Sequence, residues 1–552
     1  MVGLGDVALW NTAHLDEICR SLQRQVQLLV QAGDDFGKVM PIPDWTGPAS
    51  DDAASGHRAL MRGLDTLAAG ASIVTKAVGQ AADAITGVQR AITNAQELAR
   101  RYGYRITESG GLVDTLAGKE LPRDLHPGDR ARALRLLTDD IAEALRTAED
   151  IDDDLASVLQ RAAAGQFGTG DEATIAAAAA DGLKDPGLTL PEPPANATPS
   201  QTAAWWNSLS PAGQAILLRD RPAALGAMDG LPAEVRDKAN RLVFDQQRAD
   251  LHHQRDELQR RLDGMKESDP AQEDDYHELE DQRDALDNKL KGMDQIGDRL
   301  DRPLPGQPPA FLLGINPAGS GQAIIAIGNP DHAQNVATYV PGTGAGLNDG
   351  MTTDISRADI MAQTAHQINP VPTSVVAWVG YDAPQSILPD AADHSYADHA
   401  EPGLRKFQDG LGAAHDAGPL NSTVIGHSYG TTVVGQTARD FGLPANNVVL
   451  VASPGAGVEH ANQLHLDGIA SDQVGQHLFS TKSDVDPVPM FTNWGNPALD
   501  GVDPLGPDPT AGWFGGQRFD SNPDAGHTQY WDPNSKSLRG MANIIAGRRP
   551  SS

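Results

Sequence analysis

The first third of the chain has apolar residues at helical spacing. From residue 60 to residue 95 they recur alternately four and three positions apart, at Leu60, Leu64, Leu67, Ala71, Val74, Val78, Ala81, Ile85, Val88, Ile92 and Ala95. A shorter stripe of the same kind precedes this seam, at Leu15, Ile18, Leu22, Val26 and Leu29. The spacing predicts two long amphipathic helices.

The segment between the two stripes reads PIPDWTGP, and its prolines and glycine are expected to end one helix and begin the next. Residues 1–110 are therefore predicted to form an antiparallel helical hairpin. A further seam from Leu137 to Val158, an alanine run and the proline-rich stretch DPGLTLPEPPANATPS predict a helix and a linker over residues 111–200.

Residues 201–302 are rich in charge. Ser210 could cap a helix that has Pro211 at its first position. Alternating charges around regularly spaced leucines follow, and Pro270 divides them, which predicts a helical hairpin that projects as a coiled coil. The adjacent His252 and His253 would point to different faces of a helix, so solvated side chains are favoured over metal ligands.

From residue 303 to residue 552 short β-rich runs alternate with helical ones. We predict strands at 311–315, 323–327, 336–340, 375–380, 423–425, 448–451 and 477–480, and helices that include 360–368 and 432–441. This alternation predicts an α/β fold, a mostly parallel sheet flanked by helices. The first strands match the antiparallel start of an α/β-hydrolase sheet.

Composition narrows the classes of function. A chain of 552 residues exceeds the size of a single core, so several folding units are expected. The net charge of -31 repels nucleic acid and anionic membranes. The single cysteine, Cys19, excludes an internal disulfide, a cysteine-rich zinc site and an iron–sulfur cluster. We expect neither a secretory signal peptide nor a membrane-spanning helix, which leaves a cytoplasmic location or export by another route.

The pentapeptide Gly426-His427-Ser428-Tyr429-Gly430 has the G-x-S-x-G pattern of a nucleophile elbow. It follows a predicted buried strand and precedes a predicted helix, which is the context the pattern requires. Glycines on both sides leave room for a tight turn that holds the serine in a strained conformation. Ser428 is the predicted nucleophile.

A serine nucleophile needs a general base oriented by a carboxylate, and in this fold the chain order is serine, acid, histidine. Asp486 begins Asp-Pro-Val-Pro, which resembles the D-x-V-P that follows the acid-bearing strand in many such enzymes. Asp484 is the rival acid, because residues two apart share one side of an extended chain. His527 is the only histidine after Asp486, so it is the predicted base.

The glycine-rich loop VPGTGAG, residues 340–346, is predicted to carry part of an oxyanion hole. The backbone N–H groups of Thr343 and Tyr429 are the expected donors, and Gly342, Gly344 and His427 are expected to line the substrate site. A dinucleotide-binding pattern fails, because Leu347 stands where the third glycine of G-x-G-x-x-G is needed.

The segment from Leu499 to Phe519 is rich in glycine and proline and contains Trp513 and Phe514. It is predicted either to cover the site as a lid, with both aromatic side chains against the substrate, or to pack on the surface as a loop.

Several motifs together resemble an actinobacterial α/β-hydrolase family long catalogued as a domain of unknown function: Trp205-Trp206-Asn207, GAMDGLPAEVRDKANR, VPGTGA, GHSYGTTVVG, VASPGAG and GHTQYWD. The resemblance runs from about Gln201 to Met541. It implies a serine hydrolase fold in which Ser428, Asp484 or Asp486, and His527 match the triad. It implies no substrate.

The N-terminal hairpin, with Trp45-Thr46-Gly47 in its turn, resembles the WxG hairpins of ESAT-type proteins handled by type VII secretion. Tyr104 to Glu108 also fits the Y-x-x-x-[DE] export signal of that family, although the alternation from Tyr102 to Ile106 equally predicts a short strand. The resemblance implies a secretion partner or a helical partner for the hairpin.

These observations predict a carboxylesterase or lipase-like serine hydrolase that acts on a small-molecule or lipid ester and needs no metal or organic cofactor. The alternative is an exported interaction protein or toxin-like effector that uses the hydrolase fold as a scaffold. The sequence does not predict an oligomeric state.

Overall fold

The computed structural model describes residues 2–122, 125, 127–265, 272–386, 393–416, 418–489 and 505–551. It divides into two compact units. The first contains Met1–Leu125, Arg132–Ala197 and Ala204–Ile216, and the second contains His126–Ala131, Thr198–Ala203 and Leu217–Ser552.

The helices of the described residues are α1 (Leu4–Leu9), α2 (Thr12–Gly37), α3 (Pro48–Arg101), α4 (Pro127–Ala163), α5 (Ile175–Gly182), α6 (Pro199–Ser208), α7 (Pro211–Asp220), α8 (Pro222–Gly226), α9 (Ala233–Asp263), α10 (Glu273–Asp301), α11 (Met351–Ile368), α12 (Ser395–Ala414), α13 (Gly430–Asp440) and α14 (Lys536–Ile545). The strands are β1 (Tyr104–Ile106), β2 (Leu112–Asp114), β3 (Ala310–Asn316), β4 (Gln322–Ile327), β5 (Asn335–Val340), β6 (Thr373–Val379), β7 (Asn421–His427), β8 (Asn447–Val451), β9 (Leu478–Thr481) and β10 (Gln517–Arg518).

The first unit is largely helical, as predicted. Helices α2 and α3 contact each other on either side of the predicted turn. The later half of the α3 seam is buried against α4, in a core of Val7, Ala81, Ile85, Val88, Ala144, Ala148 and Ile151. Leu60 and Leu67, at the start of the seam, are exposed. The later half of the seam is therefore buried where α4 packs against it.

Residues 104–106 form β1, which pairs antiparallel with β2, so the strand alternative for this segment is confirmed. The export interpretation of the same residues stays a prediction.

The segment around the tryptophan pair lies in the first unit. Both Trp205 and Trp206 are buried, and the Trp205 indole N–H donates to the Pro191 carbonyl at 2.7 Å. Arg90 donates to the Leu209 carbonyl at 3.0 Å. These contacts lie within the first unit, which includes Ala204–Ile216, and the long run of the second unit begins at Leu217.

The second unit contains a sheet in the order β10-β9-β8-β7-β5-β6-β4-β3. Strands β3, β4 and β6 pair antiparallel, and the pairs from β6 through β5, β7, β8 and β9 to β10 are parallel. The predicted mostly parallel sheet flanked by helices is confirmed. Each predicted strand agrees with an observed one to within two residues at its ends. Strand β10, only two residues long, was not predicted.

The charged segment forms the predicted pair of contacting helices, α9 and α10. Their apolar residues Phe244, Leu251, Leu290, Met293 and Ile296 belong to the core of the sheet. A large part of the pair therefore packs against the sheet of the second unit and does not project from it. Coiled-coil packing of the pair stays a prediction.

Candidate active site

Ser428 lies in a sharp turn at the centre of the sheet. It follows β7, whose neighbours are β5 and β8, and α13 begins two residues later. Its φ of 55° is left-handed, a conformation that is strained for a residue with a side chain. The Ser428 N–H donates to the Val451 carbonyl of β8 at 3.0 Å, which ties the turn to the sheet.

The two glycines of the pentapeptide make this turn sterically possible. A Cβ atom on Gly426 would lie 2.7 Å from the Gly430 carbonyl oxygen, and one on Gly430 would lie 2.2 Å from the Val340 carbonyl oxygen. Neither position accepts a larger residue without movement of the backbone. The local sequence therefore forces the strained turn that presents Ser428.

The structure brings His527 and Asp486 together. His527 Nδ1 is 2.9 Å from both carboxylate oxygens of Asp486, whose side chain is fully buried. Because a carboxylate only accepts hydrogen bonds, Nδ1 carries the proton and Nε2 of the neutral ring is left as a base. Asp484 is exposed and makes no described contact with His527.

Two further donors surround the buried Asp486 carboxylate. The Tyr530 hydroxyl donates to Oδ2 at 2.7 Å, and the Val488 backbone N–H donates to Oδ1 at 3.0 Å. With His527, three donors therefore compensate the burial of this charge. Sequence reasoning missed Tyr530; its position three residues after the histidine of GHTQYWD was the available signal.

Ser428 is 7% exposed. The Ser428 hydroxyl makes no hydrogen bond to His527 in the described part of the chain. Such bonds are often long in an enzyme without substrate and shorten in the reacting complex.

Two backbone N–H groups, one after Ser428 and one on the loop after β5, lack acceptors among the described residues. They are the N–H groups of Tyr429 and Thr343. Gly342 brings their two loops together, because a Cβ atom there would lie 2.8 Å from both Tyr429 N and Ser428 Cβ. The Tyr381 hydroxyl, which donates to the Pro341 carbonyl at 2.7 Å, holds the start of the Thr343 loop. Free N–H groups beside a nucleophile can bind a developing oxyanion.

His427 occupies a different place from the expected one. Its side chain is buried at 5% exposure, and its Nε2 lies 3.0 Å from the His527 carbonyl oxygen. Burial lowers the pKa of His427 well below its ordinary value, so the ring is neutral and Nε2–H is the donor. Little of this side chain is left for a substrate, because it is packed against the loop of His527.

The ring of Trp531 completes this cluster. It lies edge-on to His427 with a centroid separation of 4.9 Å, and the Arg357 guanidinium lies 4.5 Å from its centroid. Arg357 is buried and donates to the Tyr339 hydroxyl at 2.8 Å. These packed groups form the support behind the loop of His527.

The predicted lid is only partly within the described residues, since residues 499–504 lie outside them. From residue 505 onward the segment is packed: the Gly457 N–H donates to the Leu505 carbonyl, and the Ser480 hydroxyl donates to the Pro509 carbonyl at 2.9 Å. Phe514 is 1% exposed and Trp513 is 60% exposed. The described part therefore has the packed-loop form, and Phe514 is too buried to contact a substrate.

In the part of the chain that the structure describes, no helix is long and apolar enough to cross a bilayer.

Residues 316–478 match the model of the family described as alpha/beta hydrolase. This segment is therefore similar to the alpha/beta hydrolase family. The match includes β4 to β8 and Ser428, whereas Asp486 and His527 lie beyond it.

The chain also has curated mycobacterial relatives. The uncharacterized protein Rv2079 of Mycobacterium tuberculosis is 32% identical over 443 residues, which cover 72% of this chain and 66% of the relative. This chain therefore spans just under two thirds of the length of that relative. An uncharacterized protein of Mycobacterium bovis is 29% identical over 210 residues, 36% of this chain and 76% of its own.

Among solved structures, esterase LipW from Mycobacterium marinum is 15% identical, with a TM-score of 0.27, over 47% of this chain and 86% of its own.

Proposed function

We propose that the second unit is a serine hydrolase that cleaves an ester, with Ser428 as nucleophile, His527 as general base and Asp486 as the orienting acid. The observation that carries the proposal is the strained Ser428 turn, because a left-handed serine between two obligatory glycines is the geometry of a nucleophile elbow. The paired Asp486 and His527 support it.

The proposed reaction runs through an acyl-enzyme. His527 Nε2 takes the Ser428 proton as the hydroxyl oxygen attacks the ester carbonyl, and the resulting oxyanion accepts hydrogen bonds from the Tyr429 and Thr343 N–H groups. The imidazolium then donates its proton to the leaving alcohol. Water, deprotonated by the same ring, releases the acid and restores Ser428.

A fluorophosphonate probe and a series of p-nitrophenyl esters from acetate to palmitate test the proposal. We expect labelling and ester turnover in the full chain and loss of both in Ser428→Ala, with chain-length preference separating small from lipid esters. Ser453→Ala is the matched control, since this buried serine follows the neighbouring strand β8 and bonds to the Thr431 hydroxyl. Equal labelling of Ser428→Ala would place the nucleophile elsewhere.

The same experiment distinguishes the alternative function. A folded protein whose Ser428 does not react with the probe would favour the alternative, an interaction protein or effector that uses the hydrolase fold as a scaffold.

A partner for the first unit is a separate proposal. It is supported by three exposed apolar side chains at the turn between α2 and α3: Val39, Ile42 and Trp45. A helical partner would bury them.

A further inference from the structure

Tyr530 is completely buried and sits between two polar groups that fix its proton. The Ser483 backbone N–H donates to the phenol oxygen at 2.8 Å, and the same oxygen lies 2.7 Å from Asp486 Oδ2. An N–H can only donate, and an ionised carboxylate can only accept. The phenol proton therefore points to Asp486.

We infer that Tyr530 is a positioning residue that fixes the Asp486 carboxylate and limits the basicity of His527. The inference deepens the proposed function and rests on it for its role in catalysis. Tyr530 bonds one carboxylate oxygen and the Val488 N–H bonds the other, so the plane of the carboxylate is held from both sides. His527 Nδ1 consequently meets both oxygens at the same distance of 2.9 Å.

The electrostatic consequence has a definite sign. The charge of Asp486 stabilises protonated His527, and the phenol dipole offsets part of that charge. Without the hydroxyl, His527 would face a less compensated carboxylate and would hold its proton to higher pH. The Tyr530 hydroxyl thus favours the neutral form of His527, which is the form that acts as a base.

Other ionisable groups around His527 do not contact the phenol hydroxyl. His427, at the end of β7, is neutral because it is buried. Arg357 of α11 lies over the Trp531 ring and donates to the Tyr339 hydroxyl. Asp484, Asp524 and Asp532 are exposed. Removal of the Tyr530 hydroxyl should therefore act through Asp486.

Titration of His527 in the full chain tests the inference directly. The Cε1–H resonances of ¹³C-histidine-labelled protein are followed with pH, and the His527 signal is assigned by its absence in His527→Ala. In Tyr530→Phe we expect the pKa of His527 to be higher by about 0.5 to 1, with kcat for an ester lower by about tenfold. Ser374→Ala is the control, because it removes another buried hydroxyl, which bonds to the Gly328 carbonyl near the start of β6. Its His527 titration should match the wild type.

An unchanged His527 titration in folded Tyr530→Phe would overturn the inference. If that variant does not fold, 3-fluorotyrosine at position 530 keeps the ring and makes its hydroxyl a stronger donor. A lower His527 pKa then supports the inference, and an unchanged one rejects it. Absence of ester turnover and of probe labelling in the wild type would reject the proposed function, whereas the titration would still decide the role of Tyr530.

Discussion

The His427 ring donates a hydrogen bond of 3.0 Å to the backbone carbonyl of His527. The residue directly before the proposed nucleophile is thus bonded to the residue proposed as its base, and their rings lie 4.8 Å apart. Ser428 is fixed by the end of β7, whereas His527 is carried on a loop. This hydrogen bond therefore sets the position of the loop relative to the strand.

Replacing His427 should separate its hydrogen bond from its packing. His427→Phe keeps a ring but removes the donor, so we expect kcat to fall by about 10- to 100-fold while KM changes little, because the base is displaced. His427→Gln offers an amide N–H near the position of Nε2 and should recover most of kcat. Steady-state kinetics and thermal unfolding of both variants provide the measurement. Equal losses in both, or full activity in His427→Phe, would contradict this role.

The two neighbouring aspartates offer a matched pair of substitutions. Asp486→Asn should lower kcat by about 10⁴-fold, because an amide no longer selects the Nδ1–H tautomer of His527 or stabilises its protonated form. Asp484 lies two residues away and its side chain is exposed. Asp484→Asn should therefore change kcat by less than about tenfold. The kinetics of the two variants on one ester are compared. A reversed order would make Asp484 the acid.

The sequence predicted the strands and the elbow because their information is local. Apolar runs bounded by turn residues mark β5, β7 and β8, and two glycines around Ser428 are enough to specify the turn. The choice between Asp484 and Asp486 is not local, since spacing places both on one face. The structure separates them by burying Asp486 and exposing Asp484.

Other features depend on contacts between segments far apart in the chain. Trp205 could not be assigned to the first unit from composition, because its place depends on a bond to the Pro191 carbonyl. The residues after it bond to Arg90 of α3 and Thr147 of α4. His427 likewise appeared to be a residue of the substrate site. Its hydrogen-bond partner, the His527 carbonyl, is 100 residues away in the chain. The two residues meet only when the loop that carries His527 folds onto the end of β7.

The close approach of Gly342 to the elbow leads to a steric prediction. A methyl group at this position would lie 2.8 Å from Tyr429 N. Gly342→Ala must therefore move the loop of residues 340–346 or block the Tyr429 N–H. We expect a loss in kcat of about 100-fold or more, comparable to removal of one oxyanion donor. Gly512→Ala is the control, because its Cβ would meet no atom within 4 Å. Kinetics on an ester measure both. Near-normal kcat in Gly342→Ala would mean that Tyr429 N–H does not contact the oxyanion.

The stability of the second unit should depend on pH through the buried carboxyl group of Asp331. Asp331 is buried and accepts a hydrogen bond from the Ala233 N–H, at the start of α9. Burial is the main cause that raises the pKa of Asp331 from 3.8 to about 7, and Asp416 raises it further. The folded protein therefore binds more protons at this residue than the unfolded chain does. Its contribution to stability is present below about pH 4 and is lost as pH rises through 7.

Asp331→Asn should remove this dependence, since the amide stays neutral and its oxygen can still accept from Ala233. From pH 4 to pH 8 the free energy of unfolding of the wild type should fall relative to that of the variant, by an amount on the order of a few kcal/mol. Urea unfolding of the second unit, followed by tryptophan fluorescence at both pH values, gives the difference. Asp349→Asn is the control, because Asp349 is exposed. If the difference between wild type and Asp331→Asn stays constant with pH, Asp331 is ionised in the folded protein throughout this range, and water or a neighbouring cation compensates its burial.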